Sequence, residues 1–184
     1  GVDGIGLKYE GTSTASYADD VLMLCVQGAT HWDSLGHVFY KDKMYNGYDA
    51  ALANSSGIHK NGIQHTRNKM IGRGVLRDVA RFKVVDALPD GYGISNAELD
   101  ACAKKQGSPI EKHDILVIRT GWLKRYYDQG PSGIFPNGAF NEPGLKYSPE
   151  MVKWFHEMEI PSLASDTIGS EQTSNPDTGT MLNL

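Results

Sequence analysis

The stretch DILVIRTGW, residues 114–122, is the strongest indication of the fold in this sequence. Its continuous apolar run has the length of a strand that is buried on both faces. Downstream, Ser148 is placed to cap a helix over 149–158, and PSLAS at 161–165 predicts another strand. The order strand (114–120), helix, strand is that of a βαβ crossover, so we expect an α/β fold with a mixed sheet.

Two further apolar runs and one strongly marked helix extend this prediction. VLMLCV at 21–26 and GVLRDVARF at 74–82 repeat the pattern of a buried strand. In SNAELDACAKKQG, Ser95 and Glu98 have the spacing of a reciprocal capping box, and Gly107 supplies the usual helix stop. The length of 184 residues predicts a single domain over residues 1–184, and the order of strands and helices makes it α/β.

Two segments are predicted to be irregular. Residues 1–20 are rich in Gly, Ser, Thr and Asp, and YYDQGPSGIFPNGAFNEPG at 126–144 is rich in Gly and Pro. A loop as long as the second is more often functional or mobile than idle in a small domain.

Composition limits the functional class. The chain has 184 residues, of which 40% are hydrophobic and 22% charged, with a net charge of −4. This profile fits a soluble globular protein, and without a basic surplus or a long apolar run it argues against nucleic-acid and membrane partners. Two cysteines, Cys25 and Cys102, make no disulfide framework, so we expect a reducing, cytoplasmic setting, with Cys25 packed as a small hydrophobe. The chain opens at Gly1 rather than at methionine, which indicates a trimmed start.

The stretch GATHWDSLGHVFY, residues 28–40, holds the main candidate for chemistry. His31, Asp33 and His37 follow the pattern H-x-D-x-x-x-H, and Gln27 lies four residues before His31. Two imidazoles and a carboxylate suit zinc, manganese or iron, and residues i and i+2 of an extended segment point to one side. His37, beyond a predicted turn at Leu35–Gly36, is either a ligand or a general base. The alternative is a set of ordinary polar residues around a turn.

Other polar residues make weaker candidates. Asp166 and Glu171 follow the last predicted strand, where ligands bind in α/β sheets, but turn residues also occur there. The remaining histidines are predicted to lie in loops or on solvated faces: His59, His65, His113 and His156. The sequence has no G-x-S-x-G elbow, no G-x-G-x-x-G and no phosphate-loop lysine, which argues against a serine hydrolase or a nucleotide binder.

QGATHWDSLGH resembles the motif of the cyclase-like metal-dependent hydrolases, the family of bacterial kynurenine formamidases and isatin hydrolase. That motif reads approximately H-x-G-T-H-x-D-x-P-x-H. The segments HVFYKDKMYNGY, IGRGVLRDVAR, DILVIRTGW and SDT resemble the longer bacterial members, so the resemblance runs from about Tyr17 onward. It implies a mixed-sheet sandwich with a swivelling β/β/α core, assembled as a homodimer or homotetramer.

By position, the resemblance implies that His31 and Asp33 are ligands of a divalent ion, Mn or Zn, and that His37 is the acid/base. Gln27 stands where the formamidases have another ligand histidine, and Leu35 replaces the proline of the motif. An amide oxygen is a poorer zinc ligand than imidazole, so Gln27 favours manganese, weaker binding or a substrate contact.

The ends of the chain also differ from the pattern of the family. The sequence stops at MLNL, where the resemblance leads us to expect a further histidine and then a glutamate. The segment before the motif is also short for the longer members. We therefore expect a fragment, trimmed at both ends, in which part of the site is missing.

The expected function is hydrolysis of an amide, formamide or lactam C–N bond in a small molecule by metal-activated water. Trp32, Phe39 and Tyr40 are available to line an apolar pocket for an aromatic substrate, and equally to the core. Two alternatives stay open: a metal-dependent lyase or cyclase on the same fold, and a non-catalytic member with an incomplete metal site.

Overall fold

A computed structural model describes residue 20, residues 22–175 and the backbone of residues 180–181. The chain divides into two units, residues 1–67 and residues 68–184. Most of the predicted irregular segment 1–20 and the terminal MLNL side chains lie outside the described residues. Among the residues that are described, no helix has both the length and the apolarity that crossing a bilayer requires.

The first unit is built mainly from turns. Short 3-10 segments occupy Val26–Gly28, Tyr45–Gly47, Ala50–Leu52 and Ile63–Thr66. Its strands, β1 (Ala53–Asn54) and β2 (Gly57–Ile58), form a two-residue antiparallel pair. Nearly all of its described side chains are exposed, and Met44 is the one large apolar side chain of residues 22–67 that is buried.

The second unit is organised around a parallel sheet. Its strands are β3 (Gly74–Asp78), β5 (Ile115–Arg119) and β7 (Ser162–Ser165), in the order β3-β5-β7. The apolar run of β5 places Leu116 and Ile118 in the core, because alternate residues of a strand face the same side. The predicted parallel pairing of the strands at 114–120 and 161–165 is confirmed.

Smaller strand pairs and four helices complete the second unit. β4 (Gly93–Ile94) pairs in parallel with β6 (Gly144–Leu145), and β8 (Ser174–Asn175) pairs antiparallel with β9 (Thr180–Met181). The helices are α1 (Val79–Phe82), α2 (Asn96–Gln106), α3 (Trp122–Gln129) and α4 (Pro149–Met158). The chain is therefore α/β with both parallel and antiparallel pairing. The core cluster comprises Val75, Val79, Leu88, Ile94, Leu99, Leu116, Ile118, Leu145, Met151 and Trp154.

Both predicted helix caps are confirmed. The Ser95 hydroxyl accepts a hydrogen bond from Glu98 N at 3.2 Å, and Glu98 Oε2 accepts one from Ser95 N at 3.0 Å. Gly107 ends α2 with a φ of 65°, in the left-handed region where glycine carries no Cβ penalty. Ser148 caps α4 by accepting a hydrogen bond from Met151 N at 3.1 Å. Each cap contributes about 1 kcal/mol of helix stability.

Two strand predictions need correction. Residues 22–25 of VLMLCV belong to no strand, Val21 lies outside the described residues, and Leu22 and Met23 are 86% and 98% exposed. Cys25 is exposed rather than packed. An apolar run becomes a strand only where another strand pairs with it, which composition does not reveal.

The run at 74–82 changes structure halfway. The Asp78 carboxylate accepts a hydrogen bond from Arg81 N at 3.0 Å, which ends β3 and starts α1. Asp78 is therefore the N-cap of α1, although it lies within an apolar run of the sequence. The segment 126–144, predicted to be irregular, also contains regular structure. The end of α3 lies in it, and short 3-10 turns follow at Gly130–Gly133 and Pro136–Gly138.

Glu142 is a fully buried carboxylate that ties two segments together. Its oxygens accept hydrogen bonds from Ile168 N at 2.8 Å and Gly169 N at 2.5 Å. Burial raises the pKa of the Glu142 carboxyl to about 7, against the two N–H groups that stabilise its ionised form. Charge at this position therefore destabilises the fold.

We predict that the stability of the chain decreases as pH rises from about 4.5 through 7, because the folded state holds the Glu142 proton more tightly than the unfolded state. The contribution at pH 8 is on the order of 3 kcal/mol. Urea unfolding as a function of pH measures it. Glu142→Gln should flatten the profile, whereas Glu157→Gln, at an exposed glutamate of α4, should not. Equal profiles for wild type and Glu142→Gln would contradict the assignment.

Candidate functional site

The candidate site is a loop in which three side chains converge on the Asp33 carboxylate. The 3-10 turn Val26–Gly28 places Gln27 so that its Nε2 donates a hydrogen bond to Asp33 Oδ1 at 2.9 Å. His31 Nε2 lies 3.5 Å from the same oxygen, and His37 Nε2 lies 3.8 Å from Oδ2. The structure thus brings together all four residues that the sequence predicts for the site.

The backbone fixes the tautomer of His31. Its Nδ1 lies 2.5 Å from the carbonyl oxygen of Ala29. A carbonyl oxygen only accepts hydrogen bonds, so Nδ1 carries a proton and Nε2 is the ring nitrogen that faces Asp33. Histidines that bind a metal ion through one ring nitrogen commonly donate the other ring N–H to a carbonyl oxygen, as His31 does to Ala29.

The spacing of the His31 and Asp33 donor atoms fits a shared cation. Two ligands that each lie about 2.1 Å from a tetrahedral ion are roughly 3.4 Å apart, and the observed separation of His31 Nε2 from Asp33 Oδ1 is 3.5 Å. A nitrogen and a carboxylate oxygen at this distance are brought together by a proton or by a metal ion between them. The donor set, one imidazole and one carboxylate, suits Zn or Mn.

His37 reaches Asp33 through a tight turn. His37 N donates a hydrogen bond to Ser34 O at 3.0 Å, and Gly36 N donates to Ser34 Oγ at 3.2 Å. This confirms the turn predicted at Leu35–Gly36. At 3.8 Å from Asp33 Oδ2, His37 Nε2 is beyond hydrogen-bond distance, and 47% of the His37 side chain is exposed. The ring is therefore accessible to a solvent molecule or a substrate.

The described residues supply an incomplete coordination shell. Within residues 22–175, no group of three or more His, Cys, Asp or Glu side chains is arranged to hold a metal ion. Gln27 contacts Asp33 through its amide nitrogen and not through the carbonyl oxygen that would bind a cation. The pair of His31 and Asp33 is therefore the arrangement that fits a cation.

Comparison with known proteins identifies the family to which the chain belongs. The model of the Cyclase family matches residues 8–172, which is most of the chain. This chain belongs to the Cyclase family. A solved structure described as the crystal structure of a novel cyclase is 38% identical, with a TM-score of 0.73 over 89% of this chain and 54% of that one. The chain thus spans about half the length of that cyclase. No curated protein matches it.

In this member of the Cyclase family, Asp166 joins two strands. Its Oδ1 accepts hydrogen bonds from Thr120 N and Thr120 Oγ1, both at 2.7 Å, and Oδ2 accepts one from Gly121 N at 2.8 Å. These bonds connect the segment after β7 to the end of β5. Glu171 pairs through its backbone with Leu145. Of the two roles open to Asp166, the hydrogen bonds support the structural one.

The other histidines make contacts of their own. His59 Nε2 lies 3.1 Å from Ser56 Oγ, and His113 Nε2 lies 2.6 Å from Glu159 Oε2. His65 is in a 3-10 turn and His156 is on the exposed face of α4. All four are exposed, as the sequence predicts.

Sequence reasoning missed two charged features of the second unit. One is Glu142, whose burial has no periodic signal because it lies within the Gly/Pro-rich segment 126–144. The other is the ion pair between Arg119 Nη1 and Asp78 Oδ1 at 2.8 Å, at adjacent strand ends. Each apolar run ends in a charged residue, Asp78 in GVLRD and Arg119 in LVIR, and that is the signal that would have indicated this pair.

We predict that Gly36→Ala distorts the site, because a Cβ at Gly36 would lie 3.0 Å from Ile58 Cγ2 and 3.2 Å from Lys60 O. Overpacking of this kind costs about 1–3 kcal/mol. Gly28→Ala is the matched control, since nothing lies within 4 Å of its added Cβ. The imidazole NMR signals of His31 and His37 report the distortion. A Gly36→Ala spectrum that matches that of Gly28→Ala would contradict the packing at the turn.

Proposed function

We propose that this chain carries the site of a metal-dependent hydrolase that acts on the C–N bond of an amide, formamide or lactam. One observation carries the proposal: His31 donates its Nδ1–H to Ala29 O and directs Nε2 at the Asp33 carboxylate, 3.5 Å away. Membership of the Cyclase family supports an enzymatic role. The substrate is a small molecule.

We assign the divalent ion, Mn or Zn, to His31 and Asp33, with the carbonyl oxygen of Gln27 as the third proposed ligand. A bound ion of this type polarises a carbonyl and lowers the pKa of a neighbouring water. The chain itself holds Asp33 in place through the hydrogen bond from Gln27 and holds His31 through Ala29. An amide oxygen is a harder ligand than imidazole and therefore favours Mn over Zn.

His37 is the proposed acid/base. Its Nε2 takes one proton from the attacking water as the water oxygen bonds to the carbonyl carbon. The protonated ring then gives that proton to the departing nitrogen as the C–N bond breaks, so the amine leaves neutral and His37 returns to its starting state. The accessibility of His37, and its separation of 3.8 Å from Asp33 Oδ2, leave the ring free for this exchange.

The surroundings of the loop support an apolar or aromatic substrate. Trp32, Phe39 and Tyr40 are 44%, 47% and 74% exposed, so none of them is buried in a core. Large exposed aromatic side chains beside a polar site are typical of a surface that binds a small molecule or a partner.

A second candidate function is a metal-dependent lyase or cyclase reaction. It is favoured by the similarity to the structure described as a novel cyclase. Hydrolysis consumes one water per turnover and cyclisation does not, so incorporation of ¹⁸O from labelled water into the product distinguishes them. Incorporation supports the hydrolase, and its absence supports the alternative.

We further propose that both units belong to a single domain with a swivelling β/β/α sandwich, because the family match spans both. A homodimer or homotetramer is proposed from the exposed apolar side chains before the site, Leu22, Met23, Leu24 and Val26. A monomer in sedimentation analysis would contradict that assembly. The unpaired cysteines, Cys25 and Cys102, support the proposed cytoplasmic setting.

Three histidine variants test the proposed division of roles. His31→Ala should abolish binding of Mn and Zn, because it removes one of the two donors that face each other. His37→Ala should leave binding intact and reduce turnover by on the order of 10²-fold or more. Calorimetric titration measures metal binding, and amide cleavage on a panel of N-formyl aromatic amines and lactams measures turnover.

The matched control is His59→Ala, which removes an exposed histidine of the same unit that contacts Ser56. It should change neither quantity. Absence of metal uptake by the unaltered protein, or equal loss of binding in all three variants, would contradict the metal site.

A further inference from the structure

A second concave site lies in residues 68–184 and involves none of the residues 27–37. Strands β3 and β5 are parallel, so their carboxyl ends meet at one edge of the sheet. An open cleft of about 690 Å³ occupies this edge. Ligands of α/β proteins bind at the carboxyl ends of strands, and cavities of this volume hold small molecules. The cleft is lined by Asp78, Arg81, Val84, Val85, Asp86 and Arg119.

Arg119 is a cation held in place on one side of the cleft. Its Nη1 donates a hydrogen bond to Asp78 Oδ1 at 2.8 Å, and its Nη2 lies 3.5 Å from the carbonyl oxygen of Asp86. A guanidinium group has five N–H donors, so donors remain for a ligand. Because Asp78 already orients the planar group, little side-chain entropy is lost when an anion binds to it.

Arg81 is the second cation, and its charge is not neutralised. Its backbone N donates to Asp78 Oδ1, which fixes the start of α1 and therefore the position of Arg81 beside Arg119. No acidic side chain pairs with the Arg81 guanidinium among the residues that the structure describes. The cleft therefore contains one arginine that is already paired and one that is available.

The other lining residues are two valines and two aspartates. Val84 is 83% exposed and has a φ of 60°, a left-handed conformation that β-branched residues rarely adopt. Val85 beside it is 43% exposed. Residues held in such backbone conformations cluster at ligand sites. Asp86, the exposed carboxylate of the lining, is the group that would repel an anion.

We propose that this cleft binds a small organic carboxylate, with Arg81 and the free donors of Arg119 on the carboxylate and with Val84 and Val85 against a short apolar group. Arginine is suited to this role because its N–H groups match the two oxygens of a carboxylate. The apolar contacts distinguish such a ligand from an inorganic oxyanion such as phosphate.

The test is an NMR titration of the ¹⁵N-labelled full chain with sodium isobutyrate, which has a carboxylate and a short branched apolar group. Isobutyramide is the neutral probe of the same shape, and sodium phosphate at matched ionic strength is the inorganic anion. Isobutyrate should shift the amides of residues 78–86 and 119–121 saturably. Isobutyramide and phosphate should each bind at least about tenfold more weakly.

Variants on the cleft separate binding from folding. Arg81→Ala should weaken isobutyrate binding about tenfold or more, because it removes a charge-assisted contact that an exposed side chain makes to the ligand. Arg119→Lys keeps the charge beside Asp78 but loses the paired N–H geometry, and should weaken binding less. Asp86→Asn should strengthen binding by roughly two- to fivefold, because it removes a like charge at the rim.

Lys104→Ala is the matched control for charge. Lys104 is an exposed lysine of α2 that lines a separate depression of about 460 Å³. Its removal should leave isobutyrate binding unchanged. Shifts that do not saturate, phosphate binding as tight as that of isobutyrate, or equal losses in Arg81→Ala and Lys104→Ala would each overturn the proposal.

Discussion

The proposed active site depends on one carboxylate, that of Asp33. Gln27 donates to it, His31 directs Nε2 at it from 3.5 Å, and His37 lies beyond hydrogen-bond distance from its second oxygen. The two histidines therefore differ in how firmly their rings are held. The ring of His31 is fixed by the backbone at Ala29, whereas that of His37 is positioned by a turn and left free. A fixed imidazole suits a ligand, and a free one suits proton transfer.

The second unit shows how much local sequence can determine. The caps at Ser95 and Ser148 were predictable because each needs only residues within one helical turn. The pairing of β5 with β7 was predictable because a strand–helix–strand order restricts the topology. By contrast, residues 22–25 are apolar without being a strand, since strand formation requires a partner that the segment itself does not specify.

Carboxylates were the hardest residues to interpret from sequence. Asp33, Asp78, Asp166 and Glu142 have the same functional group, but their roles depend on the partners that folding brings to them. Asp166 accepts three hydrogen bonds from the end of β5 and is structural. Glu142 is buried against two backbone N–H groups. Spacing placed Asp33 between two histidines but left its role open, and the resemblance to a metal-dependent family is what made it a predicted ligand.

The central claim is that His31 Nε2 is a ligand while Nδ1 keeps its proton and donates it in a hydrogen bond to Ala29 O. Long-range ¹⁵N NMR of the imidazole rings during titration with Zn²⁺ tests it most directly. The account predicts that His31 Nδ1 is protonated throughout and that its Nε2 signal alone moves to a saturated metal-bound shift. A His31 that carries its proton on Nε2, or whose Nε2 signal does not respond to Zn²⁺, would contradict it.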